Sequence, residues 1–477
     1  VGPATVLPDE KAEARAEAEE AAAALMAAIA AGHLPPSETG RDLVGHLTQF
    51  HRRADKPALW TMFDRCEREL EDLIEDGECI GGISPAPDAD GVWQWKEARS
   101  TVARYRFAPQ DTKLRKGTAV LHAPTLAKAG KIDSIDARAG TLTLKRQLKA
   151  EESFPESGSL IPEPTVNNRP LIAAVHRVAA HWAAGGGSYR ALIDLIERTP
   201  PRLHDWNGGP MVREGETLVE AATMRCLSMD DTALFIQGPP GTGKTFTSAH
   251  VIVALMAAGK KVGVSSNSHK AVNNLLAKVE AIAIEQGVSF VGVKKASKTD
   301  PGSYLNGEII TDVESNGDAF DYAPDLIGGT AWLFADEAID QYLDYLFIDE
   351  AGQVSLGHLV AMGAAARNIV LVGDQMQLAQ PIQGTHPGES GLSALDYLLQ
   401  GEATVAPDRG ILLDTSWRMH PDICGFISEA VYDGRLKAHP DCARQSLHLL
   451  EHHDAALANH GIRFVAREAA LRAGEIH

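Results

Sequence analysis

The stretch that most constrains this chain is 233–256. Residues 233–236 (ALFI) are an unbroken apolar run, 238–245 read GPPGTGKT, and 246–256 are again mostly apolar. A buried strand, a glycine-rich turn ending in G-K-T and an apolar helix is the setting a phosphate-binding P-loop requires. Glycine lets backbone approach a polyphosphate without side-chain clash. Gly238, Pro239, Pro240, Gly241, Thr242 and Gly243 would form the cradle, with free N–H groups and the helix start holding the negative charge. Lys244 is expected to reach the β- and γ-phosphates, and Thr245 to ligate Mg²⁺.

Downstream, apolar runs alternate with helical stretches, which predicts a parallel sheet with its ligand at the strand C-terminal ends. Several such ends carry chemistry. The run 345–348 (YLFI) stops at Asp349 and Glu350. Asp349 suits a Mg²⁺ ion, a hard cation that takes oxygen ligands, and Glu350 suits a general base for an attacking water. The alternative, that the two acids only cap the next helix, loses ground beside a P-loop 105 residues upstream. The run 368–372 (NIVLV) precedes Gly373, Asp374 and Gln377, and Gln377 could hydrogen-bond a γ-phosphate or serve only in a turn. Arg418, in DTSWRMHP, could reach across the cleft as a finger or lie in solvent. Trp417 and Met419 beside it are expected in the core, and His420 in a hydrogen-bonded turn. Ser266 and Asn267, after the strand at 261–265, suit contacts to a phosphate–sugar backbone, although Ser268 could simply cap the helix that follows.

The 477 residues allow about two to four domains. The net charge of −19 speaks against a polyanionic partner until its distribution is read. Between 99 and 149 stand twelve Lys/Arg against three Asp, a local +9. The same stretch breaks into alternating runs at 102–107, 119–122, 131–135 and 141–145, punctuated by Gly117, Gly130 and Gly140. That predicts a small antiparallel β-barrel carrying a basic surface. Arg104, Arg106, Lys113, Arg115 and Lys116 are its candidate nucleic-acid contacts. The longest apolar stretch, 21–31, is alanine-dominated and too short to cross a bilayer, so no membrane association is expected. Five cysteines without a C-x-x-C pair argue against a zinc site and suit reduced thiols in a cytoplasm.

GPPGTGKT, SSNSHKAV, FIDEA, VGDQMQL and SWRMHP, in this order across 218–436, resemble the motifs of superfamily 1 helicases, in the up-frameshift-like branch. The stretch 50–60 and the SNSHKAV form look like bacterial proteins that fuse a RecB-like nuclease to a helicase. The resemblance implies ATP and Mg²⁺ as ligands and single-stranded nucleic acid as track, DNA before RNA, with travel 5′ to 3′. It implies Lys244 and Thr245 at the phosphates and Mg²⁺, and Asp349 and Glu350 as the Walker B pair. It implies Gln377 as the coupling residue, Arg418 as the first arginine finger, and Ser266 and Asn267 on the nucleic-acid backbone. The glutamine that reads adenine in that branch has no counterpart at 220–225 (EAATMR), and Trp417 replaces a tyrosine.

The expected fold is therefore α/β: a RecA-like P-loop sheet with helices on both faces, a small accessory β-barrel and a helical N-terminal region. The expected division is a helical region and nuclease tail over 1–98, the basic barrel over 99–165, and a helical stalk over 166–217. The first ATPase lobe would span 218–408, and the start of a second lobe 409–477, the chain being the middle of a longer protein. The expected activity is ATP-driven movement along a single strand. The alternative is an ATP-gated module that binds or remodels nucleic acid without unwinding it.

Overall fold

The computed structural model describes residues 9–149, 152–164, 167–298, 300–378, 382–447 and 460–462. The chain divides into two compact units. One comprises His51–Arg169 with Ile382–Thr385, the other Pro170–Pro381 and His386–His477 together with the stretch up to Phe50.

The first unit is built on an antiparallel barrel. Its strands are β1 (Ile80–Pro85), β2 (Gln94–Glu97), β3 (Ser100–Arg106), β4 (Ala119–His122), β5 (Lys128–Asp136), β6 (Thr141–Arg146) and β7 (Gly158–Pro162). The order β1-β7-β4-β5-β6-β3 closes through a β3–β1 pairing, and β2 hangs on β3 outside the ring. Alternation drives this closure. In β6, Leu142 and Leu144 point into a core shared with Tyr105, Ile132 and Leu160, while Thr141, Thr143 and Lys145 face outward. Gly140 makes the β5–β6 turn at φ +65°, where a Cβ would lie 2.1 Å from the Phe107 carbonyl oxygen. The barrel starts well before the expected boundary at 99. The segment IGGISP reads as a loop because of its glycines and proline. A register shift between Ile80 and Ile83 nevertheless lets both isoleucines fill the interior.

The second unit holds an eight-stranded, wholly parallel sheet. Its strands are β8 (Ala233–Gln237), β9 (Val262–Ser265), β10 (Gly292–Lys295), β11 (Ile310–Val313), β12 (Leu326–Gly329), β13 (Leu343–Ile348), β14 (Ala366–Gly373) and β15 (Gly410–Leu412). Their order is β11-β10-β12-β9-β13-β14-β8-β15. Helices Lys244–Ala257 and His269–Gln286 pack on each other, and Ile252, Leu255, Leu275 and Leu276 join Leu234, Val264, Phe347 and Val370 in one hydrophobic core. Gly328 admits that packing, since a Cβ there would meet Leu276 at 2.5 Å. Among the described residues, no helix is long and apolar enough to cross a membrane.

Three expected boundaries are corrected. The strand at 410–412 opens no second lobe. It pairs in parallel with β8 and completes the first sheet. Helices Arg169–Ala183 and Arg190–Glu197 are not a free stalk. Leu192 lies so close to Gly363 that a Cβ on the glycine would stand 2.6 Å from it, and Arg198 stacks 3.7 Å over the Tyr397 ring. The N-terminal helices do not stand with 51–98 as one region either. Ser37 Oγ donates to Glu197 at 2.9 Å, His176 meets the Thr48 carbonyl at 3.0 Å, and Phe50 stacks on His386. Beyond β15, the strands β16 (Thr415–Ser416) and β17 (Lys437–Ala438) pair in parallel around helix Pro421–Val431.

Candidate active site

In the sheet order, β14 and β13 lie between β8 and β9, so the strands next in sequence to the P-loop strand are displaced from it. That is the switch point at which open parallel sheets bind ligands, beyond the strand C-terminal ends. Gly373 is in register with Gln237, and Ile348 with both Leu371 and Ser265, so β13 and β9 finish together two residues short of β14 and β8 at the same end of the sheet.

The P-loop leaves β8 there. Gly238 N–H donates to the Gly373 carbonyl at 2.9 Å, Thr242 Oγ1 donates to the Pro239 carbonyl at 2.8 Å, and Lys244 Nζ donates to the Gly238 carbonyl at 2.8 Å. Gly241 and Gly243 adopt φ of +80° and +84°. A Cβ on Gly238 would stand 2.2 Å from Lys244 Cγ, and one on Gly241 would stand 2.4 Å from Arg418 Cβ. The Ser416–Arg418 segment is tied to the same loop, with Trp417 N–H donating to the Gly241 carbonyl at 2.8 Å.

Pro239, Pro240, Gly241, Thr242, Gly243, Lys244 and Thr245 line one cavity of about 790 Å³ together with Glu350, Gln377 and Arg418. Phe246, Asn274, Ala277 and Lys278 complete its wall. Glu350 enters it from a left-handed backbone conformation, φ +53°, rare for a side-chain-bearing residue. With its amide turned to suit both neighbours, Gln377 donates to Glu350 Oε2 and accepts from Lys244 Nζ, each at 3.3 Å. The alternative in which the 349–350 acids cap the next helix fails for Glu350, which makes no side-chain cap bond.

Asp349 is 6% exposed and accepts the Glu350 N–H at 3.0 Å. Burial, then the Glu350 carboxylate, pushes its carboxyl up to about 6, against the pull of that N–H and of Lys244. Asp349, desolvated, and its neighbour Glu350, which shares the cavity with Thr245, offer hard oxygen donors. They fit Mg²⁺. Asp374 is buried, accepts Tyr432 Oη at 2.8 Å, and burial holds its carboxyl above the usual carboxylate range.

The remaining candidates are placed less simply. Ser266 is buried and its Oγ has no hydrogen-bond partner among the described residues, while exposed Asn267 donates to the Gln353 carbonyl. Ser268 caps the following helix by accepting Ala271 N–H at 3.2 Å. Trp417 is not in the core. It is 60% exposed and stacks on His439 at 3.6 Å, because its backbone follows the P-loop while its ring turns outward. Met419 is partly buried, and His420 accepts Asp422 N–H at 3.2 Å in the expected turn. In the barrel unit, Arg106, Lys113, Arg115 and Lys116 are exposed, Arg104 lies 5.1 Å over Trp95, and Lys113 stands 3.9 Å from Glu78.

Sequence reasoning missed three supports. Gln237, fully buried at the end of β8, accepts Val405 N–H at 2.7 Å and donates to Gln375 at 2.8 Å. Its signal was a polar residue closing an apolar strand. Tyr432, which holds Asp374, left no signal, since the two are 58 positions apart. His460 meets Asp422 at 2.6 Å and stacks on His420, the group of metal-ligand type brought within 4.8 Å among the described residues.

A family model described as an AAA domain matches residues 220–386, and a second, also described as an AAA domain, matches 393–470. The chain is 30% identical over 222 residues to the DNA replication ATP-dependent helicase/nuclease JHS1 of Arabidopsis thaliana, covering 45% of this chain and 16% of that protein. It is 28% identical to the human DNA replication ATP-dependent helicase/nuclease DNA2, over 47% of this chain and 21% of that one. It is 25% identical to the Regulator of nonsense transcripts 1 homolog of Arabidopsis thaliana, over 51% and 22%. The chain thus spans about a fifth of the length of these curated relatives. Among solved structures, arterivirus nonstructural protein 10 (helicase) is similar at a TM-score of 0.30 and 12% identity, over 78% of this chain and 62% of that one. Residues 220–386 and 393–470 of this chain thus match AAA-domain models, and the chain is similar to proteins described as ATP-dependent helicases.

Proposed function

We propose that this chain is the motor of a helicase or translocase that hydrolyses ATP to move along single-stranded nucleic acid, DNA before RNA. The convergence of Lys244, Glu350, Gln377 and Arg418 on one cavity carries this reading. Backbone N–H groups of 241–245 and the Lys244 ammonium hold the β- and γ-phosphates. The Thr245 hydroxyl and the Asp349 carboxylate would hold a Mg²⁺ ion, which would supply neutralising charge at those phosphates. Glu350 accepts the proton of the attacking water as the oxygen bonds to the γ-phosphorus and the bond to ADP breaks. Arg418 offsets charge on the transferred group from the far wall. Gln377 touches both Lys244 and Glu350, so emptying of the γ-phosphate position changes what it can bond and reports the event to the 374–378 turn.

Ser266, Asn267 and the barrel residues Arg104, Arg106, Lys113, Arg115 and Lys116 are our proposed contacts to the strand. We take 218–412 as the first ATPase lobe and the segment from Leu413 as the entry to the second. The parent protein is read as a RecB-like nuclease–helicase fusion of bacterial type. The five cysteines of this chain are free and suit a reducing cytoplasm.

The test is ATP hydrolysis with no nucleic acid, with single-stranded DNA and with single-stranded RNA. Stimulation by either strand is expected, the stronger one naming the track. Hydrolysis indifferent to both would leave the ATP-gated binding module. Strand displacement on a forked duplex then separates a helicase from a clamp.

A further inference from the structure

Helix Pro421–Val431 follows directly on the segment that carries Arg418. Before it, Trp417 N–H donates to the Gly241 carbonyl at 2.8 Å, so the Arg418 backbone leans on the P-loop. At its end, Tyr432 N–H donates to the Ser428 carbonyl at 2.9 Å and closes the helix. The Tyr432 ring is 2% exposed and lies in one core with Cys424, Leu436 and the partly buried Met419, the residue after Arg418. Finger segment, helix and Tyr432 thus form one packed block. The Tyr432 hydroxyl leaves that block and donates to Asp374 Oδ2 at 2.8 Å. The other oxygen of the same carboxylate, Oδ1, accepts Met376 N–H at 3.3 Å, and the Asp374 carbonyl accepts Gln377 N–H at 3.3 Å. One carboxylate therefore has an oxygen on the finger block and an oxygen in the turn that presents Gln377 to Lys244 and Glu350. Asp374 does not shift alone. Its carbonyl lies so close to Gly352 that a Cβ there would stand 2.6 Å from it, and Gly352 belongs to the short turn after Glu350. Asp374 is 1% exposed, so water does not replace the tyrosine's hydrogen bond without opening the core.

The geometry points to Tyr432 as a positioning residue that yokes Arg418 to the turn reading the γ-phosphate. This rests on the catalytic reading given above and deepens it, by naming how two walls of the cavity act together. When the turn rearranges around a filled or emptied γ-phosphate position, Asp374 moves with it. The tyrosine hydroxyl follows, and the block carrying Arg418 is drawn in or let out. A buried bond suits this task, since packed blocks shift between discrete arrangements instead of deforming. Tyr432 lines no part of the nucleotide cavity, so its effect on hydrolysis passes through Asp374 and Arg418.

The experiment is a double-mutant cycle on steady-state ATP hydrolysis by the whole chain with single-stranded DNA present. It compares the unaltered protein, Tyr432→Phe, Arg418→Ala and the two together. Tyr432→Phe keeps the buried ring, so it is expected to fold, which its melting curve checks. It should lower kcat by about tenfold and leave KM for ATP unchanged, the pattern of a contact used in the transition state. In the Arg418→Ala background it should cost no more than about a further twofold, because the arm it positions is gone. A purely structural hydroxyl would cost the same factor in both backgrounds. That result, or an unchanged kcat in Tyr432→Phe, overturns the yoke. Asp374→Asn is the second arm. It leaves an amide oxygen for the hydroxyl, so it should keep most of the turnover that Tyr432→Phe loses. A loss equal to that of Tyr432→Phe would lay the effect on the buried charge and overturn the yoke too. Full activity in Arg418→Ala, or no hydrolysis by the unaltered protein, is a failure of the catalytic reading itself, and the yoke falls with it.

Discussion

Glu350 is held at φ +53° between Asp349 and the short 351–353 turn, and Gln377 meets its carboxylate at 3.3 Å. A residue with a side chain is held there only if its surroundings enforce it, and such strain concentrates where a side chain must be aimed. Glu350→Gln keeps the shape and the hydrogen-bonding reach but cannot take a proton. It should retain ATP affinity and lose turnover by about 10² to 10⁴, the range for a positioned general base. Single-turnover hydrolysis beside nucleotide titration checks this, and retained turnover would remove Glu350 from the base role. At this scale the sequence was most informative about residues that lie on the loop's own strand or at the ends of its neighbours. Their order along the chain already put Lys244, Asp349 and Glu350 at one sheet edge. It could not place Tyr432 on Asp374, because that contact depends on how the 414–447 segment folds back.

Elements were legible where periodicity was clean and obscure where burial contradicted side-chain chemistry. The strand at 119–122 is β4 as read, whereas β10 (Gly292–Lys295) runs on past the point, Val293, where the sequence turns from apolar to basic. The reason is Lys294, which is fully buried although a lysine reads as a strand's exposed end. Its ammonium donates to the Lys295 and Ser303 carbonyls at 2.7 and 3.2 Å and meets His269 Nδ1 at 3.1 Å. Helix Leu356–Gly363 carries a related buried group with a measurable consequence. His358 lies in its first turn, its Nδ1 2.8 Å from Ser355 Oγ and its ring edge-on to Trp332. Burial pushes the imidazole from 6.5 down to about 4. The fold therefore binds fewer protons here than the unfolded chain between those values. The stability that follows is complete above the unfolded value and is lost as pH falls toward the folded one. From about pH 7 to about pH 5 this group should cost about 2 kcal/mol. His358→Gln should flatten the dependence by that amount in urea melts. An unchanged pH slope would remove His358 as its source.

Over the whole molecule, charge is where sequence and fold part company. The window 99–149 carries +9, but the barrel's strands run from Ile80 to Pro162, where thirteen Lys/Arg meet nine Asp/Glu, a net +4. Folding also engages part of the basic set with acids outside the window. Lys145 reaches Glu97 at 3.1 Å, Lys128 reaches Glu163 at 2.9 Å, and Lys113 stands 3.9 Å from Glu78. Exposed pairs of this kind are weak, so the lysines remain available to a phosphate that offers more charge. Arg106, Arg115 and Lys116 are the exposed cations among the five candidates with no acidic partner among the described ion pairs. On a chain of net charge −19, these are the groups through which a strand's phosphates would be neutralised against the general repulsion. Each phosphate neutralised on a single strand contributes about −0.7 to the slope of log affinity against log salt. Replacing Arg106, Arg115 and Lys116 together by alanine should therefore weaken single-strand binding uniformly across sequences and flatten that slope by about 2. Fluorescence anisotropy over a salt series, for unaltered and triply substituted protein, measures both quantities. ATP affinity should be the same in the two, since none of the three residues lines the nucleotide cavity. A slope that does not change would move the strand contacts off the barrel and onto the Ser266–Asn267 end of β9.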